Sequence, residues 1–240
     1  MSDSRRLLLL SSSTVHGREY LAHAEGEIRE FLGNVSRVLF VPFALHDRAA
    51  YARRVGERFA QLGYGLESLH AAEDMRGAVQ KAEAIFIGGG NTFRLLKSLH
   101  DSDLLGPIAE RVSNGMPYMG ASAGSNVAGP TIRTTNDMPI VQPPSFEALR
   151  LVSFQINPHY LDADPSSTHM GETREERIAQ FLEENETPVL GLREASVARV
   201  ENGTVVVKGA PGARLFRRGI EPIEINDGTD ITELVGTVEF

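Results

Sequence analysis

Ser122 is the residue whose setting in the sequence points most directly to chemistry. It lies at the centre of a G-x-S-x-G pattern, between Gly120 and Gly124, and an apolar run precedes it. This pattern is typical of a serine held on a sharp turn from a strand into a helix, with its hydroxyl exposed. Residues without a Cβ atom let the strand and the helix pack closely around that turn. The pattern therefore predicts a nucleophilic serine, and the alternative is a turn of small residues with no chemical role.

A serine hydroxyl needs a base to accept its proton, and the base needs a partner that orients it. His159 is the predicted base, because it follows the apolar run 151–156 at the expected carboxyl end of a strand. Two acids compete for the orienting role: Asp137 in a polar loop, and Glu194 just after a strand-like segment. Glu194 is favoured because its strand should end at the same sheet edge as Ser122 and His159. Three other histidines are expected at the protein surface: His23, His70 and His100.

Three consecutive glycines, Gly88 to Gly90, follow the apolar run 84–87. Acyl transfer needs backbone N–H groups directed at the oxygen that becomes negative. A bare backbone at a strand end can approach a substrate closely, so the amides of Gly89 or Gly90, with that of Ala123, are the predicted oxyanion donors. A phosphate-binding loop is the alternative, but no Lys-Ser/Thr pair follows these glycines and the G-x-G-x-x-G spacing is absent.

Strand-like and helix-like segments alternate five times before Ser122. The predicted strands are 7–10, 38–41, 66–69, 84–87 and the run before residue 122. The predicted helices are 18–32, 47–62, 73–82, a segment around 93–99, and 103–113. This order predicts an α/β fold with a doubly wound, mostly parallel sheet and helices on both faces. After residue 195 short β-like segments (197–200, 205–208 and 223–225) and an Asn202-Gly203 hairpin signal predict antiparallel strands along one sheet edge.

Bulk properties narrow the class of protein. The chain has 240 residues, enough for a single α/β domain over residues 1–240, and a formal net charge of −8. That charge argues against nucleic acid and acidic membranes as partners, and an anionic substrate would need a local cation. There is no cysteine, which excludes disulfides, thiolate metal sites and a cysteine nucleophile. No metal-ligand spacing is present, the first apolar run is too short for a membrane span, and a cytoplasmic location is expected.

Four motifs carry a resemblance to a known family: Gly88-Gly89-Gly90-Asn91-Thr92, Gly120-Ala121-Ser122-Ala123-Gly124-Ser125, Asn157-Pro158-His159 and Gly171-Glu172-Thr173-Arg174-Glu175-Glu176-Arg177. In this order, and over nearly the whole chain, they resemble peptidase E, the α-aspartyl dipeptidase family of serine peptidases. The resemblance implies a fold related to class I glutamine amidotransferases, with serine in place of their cysteine. It also implies a Ser122, His159, Glu194 triad that hydrolyses dipeptides with an amino-terminal aspartate.

Such a substrate presents a β-carboxylate and an α-ammonium group. Arginine can bind a carboxylate with two parallel hydrogen bonds, and Arg174 is the predicted partner because of the resemblance; by charge pattern alone it is a solvated helix residue. Asp137 is the predicted partner of the ammonium group. Asn91 is predicted to contact the substrate or to cap the helix that begins beside it. No cofactor is expected, and the chain is expected to be a monomer or a homodimer.

Two other functions remain open at this point. One is a serine hydrolase of the same fold that degrades cyanophycin, an aspartate polymer carrying arginine side chains, in a wider cleft. The other is a protein that keeps the fold but only binds a small molecule. The presence of a candidate nucleophile, base and acid together argues against the second, because binding alone requires none of them.

Overall fold

The computed structural model describes residues 4–164, 166, 168 and 170–236. The strands in these residues are β1 (Arg6–Leu10), β2 (Arg37–Val41), β3 (Gly65–Ser68), β4 (Ala84–Ile87), β5 (Tyr118–Ala121), β6 (Gln155–Tyr160), β7 (Val189–Arg193), β8 (Val197–Glu201), β9 (Thr204–Lys208), β10 (Ala213–Arg217), β11 (Ile220–Ile225) and β12 (Thr229–Asp230). The α-helices are α1 (Glu25–Leu32), α2 (Arg48–Gln61), α3 (Met75–Lys81), α4 (Thr92–Asp101), α5 (Leu105–Ser113), α6 (Ala123–Asn126), α7 (Arg174–Glu184) and α8 (Thr232–Val235).

The strands form two sheets. The larger has the order β12-β9-β8-β1-β5-β4-β2-β3, and its strands from β1 to β3 are parallel. Strands β8, β9 and β12 extend it with antiparallel pairings. The smaller sheet has the order β11-β10-β7-β6, in which only β6 and β7 pair in parallel. The mostly parallel α/β fold with antiparallel additions is therefore confirmed.

The core explains why the sheet forms where the apolar runs predict it. Leu7 and Leu9 of β1 pack on one face of the larger sheet, whereas Leu8 and Leu10 pack on the other. All four are fully buried, as alternation of side chains requires in a strand covered on both faces. The parallel strands are thus held between two layers of helices, and their carboxyl ends meet at one edge, where sites form in such folds.

The predicted first helix, 18–32, is too long. A short 3-10 helix occupies Ala22–Ala24, and α1 begins only at Glu25. The cause is Leu21, which has a φ of 57° and a left-handed backbone that a right-handed helix does not accept. The second helix agrees with prediction, since the Asp47 side chain caps α2 by accepting a hydrogen bond from the amide of Ala50.

The strand predicted over residues 151–156 is placed too early in the chain. Strand β6 is Gln155–Tyr160, so His159 lies within a strand and not after one. Leu151 and Val152 are buried, but their amides donate to the carbonyl of Ala128 outside any strand. The apolar run correctly indicates that these residues are buried. A covered loop buries apolar side chains as well as a strand does, so the run alone could not identify a strand.

The C-terminal segments also differ in part from prediction. Strands β8 and β9 form the expected hairpin beside β1, with Asn202 and Gly203 at φ values of 53° and 76°. Strands β10 and β11 instead belong to the smaller sheet. Short apolar strands of either sheet have the same sequence pattern, so the pattern alone could not assign them.

Gly120 and Gly124 are required by the turn between β5 and α6. A Cβ atom at Gly124 would overlap the carbonyl oxygen of Ile87, and one at Gly120 would overlap the carbonyl oxygen of Gly124. Both obstacles are backbone atoms, which cannot move aside as a flexible side chain can. The two glycines therefore let Ser122 approach β4 and its glycine loop.

We expect Gly124→Ala to lower the free energy of unfolding by at least about 2 kcal/mol, because the added methyl group overlaps buried backbone. Urea denaturation followed by circular dichroism measures this. The matched control is Gly56→Ala in the middle of α2, where the nearest atom to the new Cβ is a Leu66 methyl group at 3.8 Å. That variant should gain up to about 1 kcal/mol, since glycine disfavours helix interiors. Equal midpoints for the Gly124 variant and the parent protein would contradict the packing described.

Candidate active site

Ser122 occupies a strained turn at the carboxyl end of β5. Its φ is 52° and its ψ is −109°, a conformation that costs free energy for a residue with a side chain. The turn is held by hydrogen bonds: the Ser122 amide donates to the carbonyl of Leu10 at 3.0 Å, and its carbonyl accepts from the amides of Ser125 and Asn126 at 2.9 Å each. The buried Ser125 hydroxyl also donates to the carbonyl of Leu10, at 2.7 Å. The hydroxyl of Ser122 is thereby presented beyond the sheet edge.

The imidazole of His159 lies between Ser122 and Glu194. Its Nε2 is 2.9 Å from Ser122 Oγ, and its Nδ1 is 3.0 Å from Glu194 Oε1. A carboxylate at Nδ1 favours the tautomer with a proton on that nitrogen, which leaves the lone pair of Nε2 facing the hydroxyl. A serine, an imidazole and a carboxylate in this order can perform nucleophilic acyl transfer.

The three side chains do not come from one sheet edge, so that expectation was wrong. Ser122 follows β5 of the larger sheet, whereas His159 lies in β6 and Glu194 follows β7, both in the smaller sheet. The chain turns at Ala195, with a φ of 68°, and returns to the larger sheet as β8. The site lies where the two sheets meet, and apolar strand patterns carry no information about which sheet a strand joins.

The glycine loop after β4 lies against the nucleophile. A Cβ atom at Gly89 would be 3.2 Å from the Cβ of Ser122, and Gly90 has a φ of 133°, which residues with side chains rarely adopt. The Gly89 amide lies next to the Tyr51 hydroxyl. Within the part of the chain that the structure describes, the amides of Gly90 and Ala123 donate to no backbone carbonyl. These two amides are therefore the freer of the three predicted oxyanion donors.

Arg174 is the first residue of α7, and Thr173 caps that helix with a reciprocal Thr173–Glu176 capping box. Burial lowers the pKa of the Arg174 guanidinium, the charge of Arg177 acts in the same direction, and Asp137 opposes both. Arg174 forms no ion pair with another described residue. It lines an open cavity of 430 Å³, together with residues 161–164, 171–173 and 177. A partly desolvated arginine beside an open cavity is suited to an anionic ligand.

Asp137 does not contact His159, whose Nδ1 is taken by Glu194. Its Oδ2 accepts hydrogen bonds from the amide and the hydroxyl of Thr92, at 2.7 and 2.6 Å. Asn91 caps α4 by accepting from the amide of Arg94 at 3.0 Å, and its Nδ2 donates to the carbonyl of Met138 at 2.9 Å. Both side chains tie the loop around Asp137 to the start of α4. The Oδ1 of Asp137 has no hydrogen-bond partner among the described residues.

His23, which the sequence predicts at the surface, is half-buried. Both of its ring nitrogens are buried, and burial lowers the pKa of its imidazole. The charge of Arg18 acts in the same direction, whereas that of Glu194 opposes it, so His23 lies near the acidic end of the site. In the sequence, the apolar neighbours Leu21 and Ala24, both buried in the structure, could have indicated the burial of His23.

The described residues contain neither a metal-ion cluster nor a membrane-spanning helix. Within residues 4–164, 166, 168 and 170–236, no group of three or more His, Cys, Asp or Glu side chains could hold a metal ion. None of the helices described there is long and apolar enough to cross a bilayer.

Comparisons with known proteins identify a family of similar sequences. The sequence model of the family described as Peptidase family S51 matches residues 7–208. The chain is 55% identical over 229 residues to "Peptidase E" of Streptomyces coelicolor, covering 95% of this chain and 94% of that protein. It is 48% identical over 238 residues to "Probable alpha-aspartyl dipeptidase" of Drosophila melanogaster, covering 98% and 99%.

Two solved structures share the fold. One is a peptidase from an acI-B1 Actinobacterium, with a TM-score of 0.67 and 18% identity over 95% of this chain and 96% of that one. The other is a putative peptidase E protein from Listeria monocytogenes, with a TM-score of 0.59 and 23% identity over 89% and 98%. At these identities the likeness supports the architecture alone.

We expect His159 to carry its proton on Nδ1 when the ring is neutral, because the Glu194 carboxylate lies at that nitrogen. Long-range proton–nitrogen correlation spectra of protein with ¹⁵N-labelled histidine report the tautomer through carbon-bound ring protons. Glu194→Ala should lose the preference for this tautomer. Asp137→Ala is the control and should keep it. If removal of Asp137 changed the tautomer and removal of Glu194 did not, the assignment of the orienting acid would be reversed.

Proposed function

The chain belongs to peptidase family S51, and from that premise we propose that it hydrolyses dipeptides with an amino-terminal aspartate through Ser122, His159 and Glu194. It is a serine-type peptidase. The observation that carries the residue assignment is the pair of contacts made by the His159 imidazole, 2.9 Å to Ser122 and 3.0 Å to Glu194. The resemblance in the sequence to peptidase E is confirmed by the relatives of that name.

In the proposed first half-reaction, His159 Nε2 takes the Ser122 proton as Oγ attacks the α-carbonyl carbon of the substrate's aspartyl residue. The carbonyl oxygen becomes negative and accepts hydrogen bonds from the amides of Ala123 and of Gly90 or Gly89. The carbon–nitrogen bond then breaks as His159 returns the proton to the leaving amine. Glu194 remains ionised and stabilises the imidazolium that forms in between.

In the second half-reaction, a water molecule attacks the aspartyl ester on Ser122. His159 accepts a proton from that water and gives it to Ser122 Oγ as the ester bond breaks, so aspartate leaves and the enzyme is restored. The same oxyanion donors serve both steps, because a tetrahedral intermediate forms at the same carbon.

We assign recognition of the amino-terminal aspartate to two charged side chains, Arg174 and Asp137. The β-carboxylate pairs with Arg174, whose guanidinium has no ion partner among the described residues and faces the cavity of 430 Å³. The α-ammonium group pairs with Asp137, whose Oδ1 is not used by Thr92. A requirement for a free ammonium group at the first residue would restrict cleavage to the amino-terminal peptide bond, as in an exopeptidase. Asn91 supports this site through the helix cap and its bond to Met138.

We also assign a cytoplasmic location and a monomeric or homodimeric state as parts of this proposal. Cell fractionation and sedimentation velocity would test them. No cofactor is invoked, since each proton and bond in the two half-reactions is accounted for by the side chains, the peptide and water.

We expect the protein to cleave Asp-Leu and to leave Glu-Leu, Leu-Asp and cyanophycin intact, with products measured by amine release and chromatography. Ser122→Ala should reduce kcat for Asp-Leu by about 10⁴-fold or more while keeping the fold, because the attacking atom is lost. Degradation of cyanophycin would support the wider-cleft alternative. No cleavage of any of the four by the parent protein would support a binding protein. Turnover by Ser122→Ala at the parent rate would remove Ser122 from the mechanism.

We expect Arg174→Met to lower kcat/KM for Asp-Leu by about 10- to 100-fold, because a charge-assisted hydrogen-bonded pair contributes about 1.5–3 kcal/mol. The loss should fall mainly on KM and should be much smaller for Asn-Leu, which lacks the β-carboxylate charge.

Arg177→Met is the matched control. It removes the same charge from the next turn of α7, where the Nε of Arg177 lies 3.7 Å from the Oε2 of Glu172. Equal losses in the two variants would indicate a general effect of positive charge near the cavity and would contradict a direct pair with Arg174.

A further inference from the structure

His159 is an extra residue in the pairing of β6 with β7. Pro158 is opposite Leu192 and Tyr160 is opposite Arg193, so the register shifts between them and His159 has no partner of its own. Its φ is 53°, in the left-handed region. Such a β-bulge bends the strand and redirects the side chain of the extra residue. The bulge is therefore what turns the imidazole out of β6 toward Ser122.

A bulge leaves backbone groups without their usual partners, and buried groups of that kind are costly. At this bulge a side chain from the other sheet supplies the partner. The hydroxyl of Ser11, just after β1, accepts a hydrogen bond from the amide of His159 at 2.9 Å and donates one to the carbonyl of Leu192 at 2.7 Å. Ser11 is fully buried, so no water can take over either bond in the folded protein.

The same point in the chain also holds the other two members of the triad. Leu10, which precedes Ser11, accepts hydrogen bonds at its carbonyl from the Ser122 amide and the Ser125 hydroxyl. The amide of Ser11 donates at 3.1 Å to the carbonyl of Ser196, two residues after Glu194. A displacement of the β1 end would move the nucleophile, the base and the acid relative to one another.

We propose that Ser11 is a positioning residue for catalysis: its buried hydroxyl holds the bulge at His159, and so keeps the imidazole in contact with Ser122 and Glu194. It touches no substrate and transfers no proton. The proposal deepens the proposed function and rests on it for the catalytic readout only.

A serine is suited to this position because one hydroxyl can accept and donate at the same time. Alanine would leave the His159 amide and the Leu192 carbonyl unpaired, and the bulge could relax toward a regular strand. Cysteine keeps the approximate size with a weaker donor and acceptor. The chain offers a control in Ser153, a half-buried serine before β6 whose hydroxyl donates to the carbonyls of Val235 and Gly236 at 3.1 and 2.8 Å, bonds that do not involve the bulge or the ends of β1, β5 and β7.

The experiment compares Ser11→Ala, Ser11→Cys and Ser153→Ala with the parent protein in two assays. The first is steady-state hydrolysis of Asp-Leu. Ser11→Ala should lose about 10- to 100-fold in kcat with KM nearly unchanged, because misplacement of a catalytic group by about 1 Å can cost about 100-fold. Ser11→Cys should be intermediate, and Ser153→Ala should keep the parent kcat even if its melting temperature falls.

The second assay is the tautomer of His159 by the same nitrogen correlation spectra, which needs no substrate. Ser11→Ala should lose the preference for a proton on Nδ1, and Ser153→Ala should retain it. A folded Ser11→Ala with kcat within about twofold of the parent, or losses equal to those of Ser153→Ala, would overturn the proposal. If Ser11→Ala does not fold, Ser11→Cys decides by the same criteria.

The two assays separate this proposal from the one it rests on. If the parent protein does not cleave Asp-Leu, the proposed function fails, and the tautomer comparison alone decides the role of Ser11. If the parent protein cleaves Asp-Leu and the tautomer is unchanged in the folded Ser11 variants, the proposed function stands and the role of Ser11 is refuted.

Discussion

The carbonyl oxygen of Leu10 accepts two hydrogen bonds from the turn that carries Ser122, and the rest of the site depends on this fixed point. The conformation of Ser122 costs about 1–3 kcal/mol and persists only when its surroundings hold it. Here buried hydrogen bonds at the end of β1 do so, and the close approach allowed by Gly124 lets α6 begin directly after the turn. Because β1 lies in the centre of the larger sheet and packs on both faces, the position of Leu10 at its end is fixed.

Local features of the site could be predicted from the sequence. The strained turn needs glycine at fixed positions around Ser122, and each parallel strand needs a continuous apolar run, so both leave short-range patterns. Long-range features could not be predicted. The bonds of Ser11 join residues about 150 or more positions apart, and the bulge at His159 arises where β6 pairs with β7 across the helix α7 that separates them in the chain. A serine after a strand, such as Ser11, has the same sequence signature whether it lies in a loop or in a catalytic framework.

Charge is organised locally in a chain whose net charge is −8. Arg193 holds Asp162 with hydrogen bonds of 2.7 and 2.9 Å, and this bonding lowers the pKa of the Asp162 carboxyl. Arg214 pairs with Glu175 at 2.6 Å, beside the first turn of α7. Asp162 and Glu175 are thus matched with other cations, whereas Arg174 is left without an ion pair among the described residues. A site in an acidic protein can therefore attract a carboxylate, because the pairing of charges near the site affects the ligand more than the net charge of the chain does.

The proposed mechanism requires one covalent intermediate, an aspartyl ester on Ser122, whatever amine leaves. Its most direct test is the partitioning of that intermediate between water and added hydroxylamine. Asp-Leu and aspartyl-p-nitroanilide have different leaving groups but would form the same ester, so the ratio of aspartyl hydroxamate to aspartate should be the same for both at each hydroxylamine concentration. A ratio that depends on the leaving group would show that no common acyl-enzyme forms, and would contradict the proposed role of Ser122.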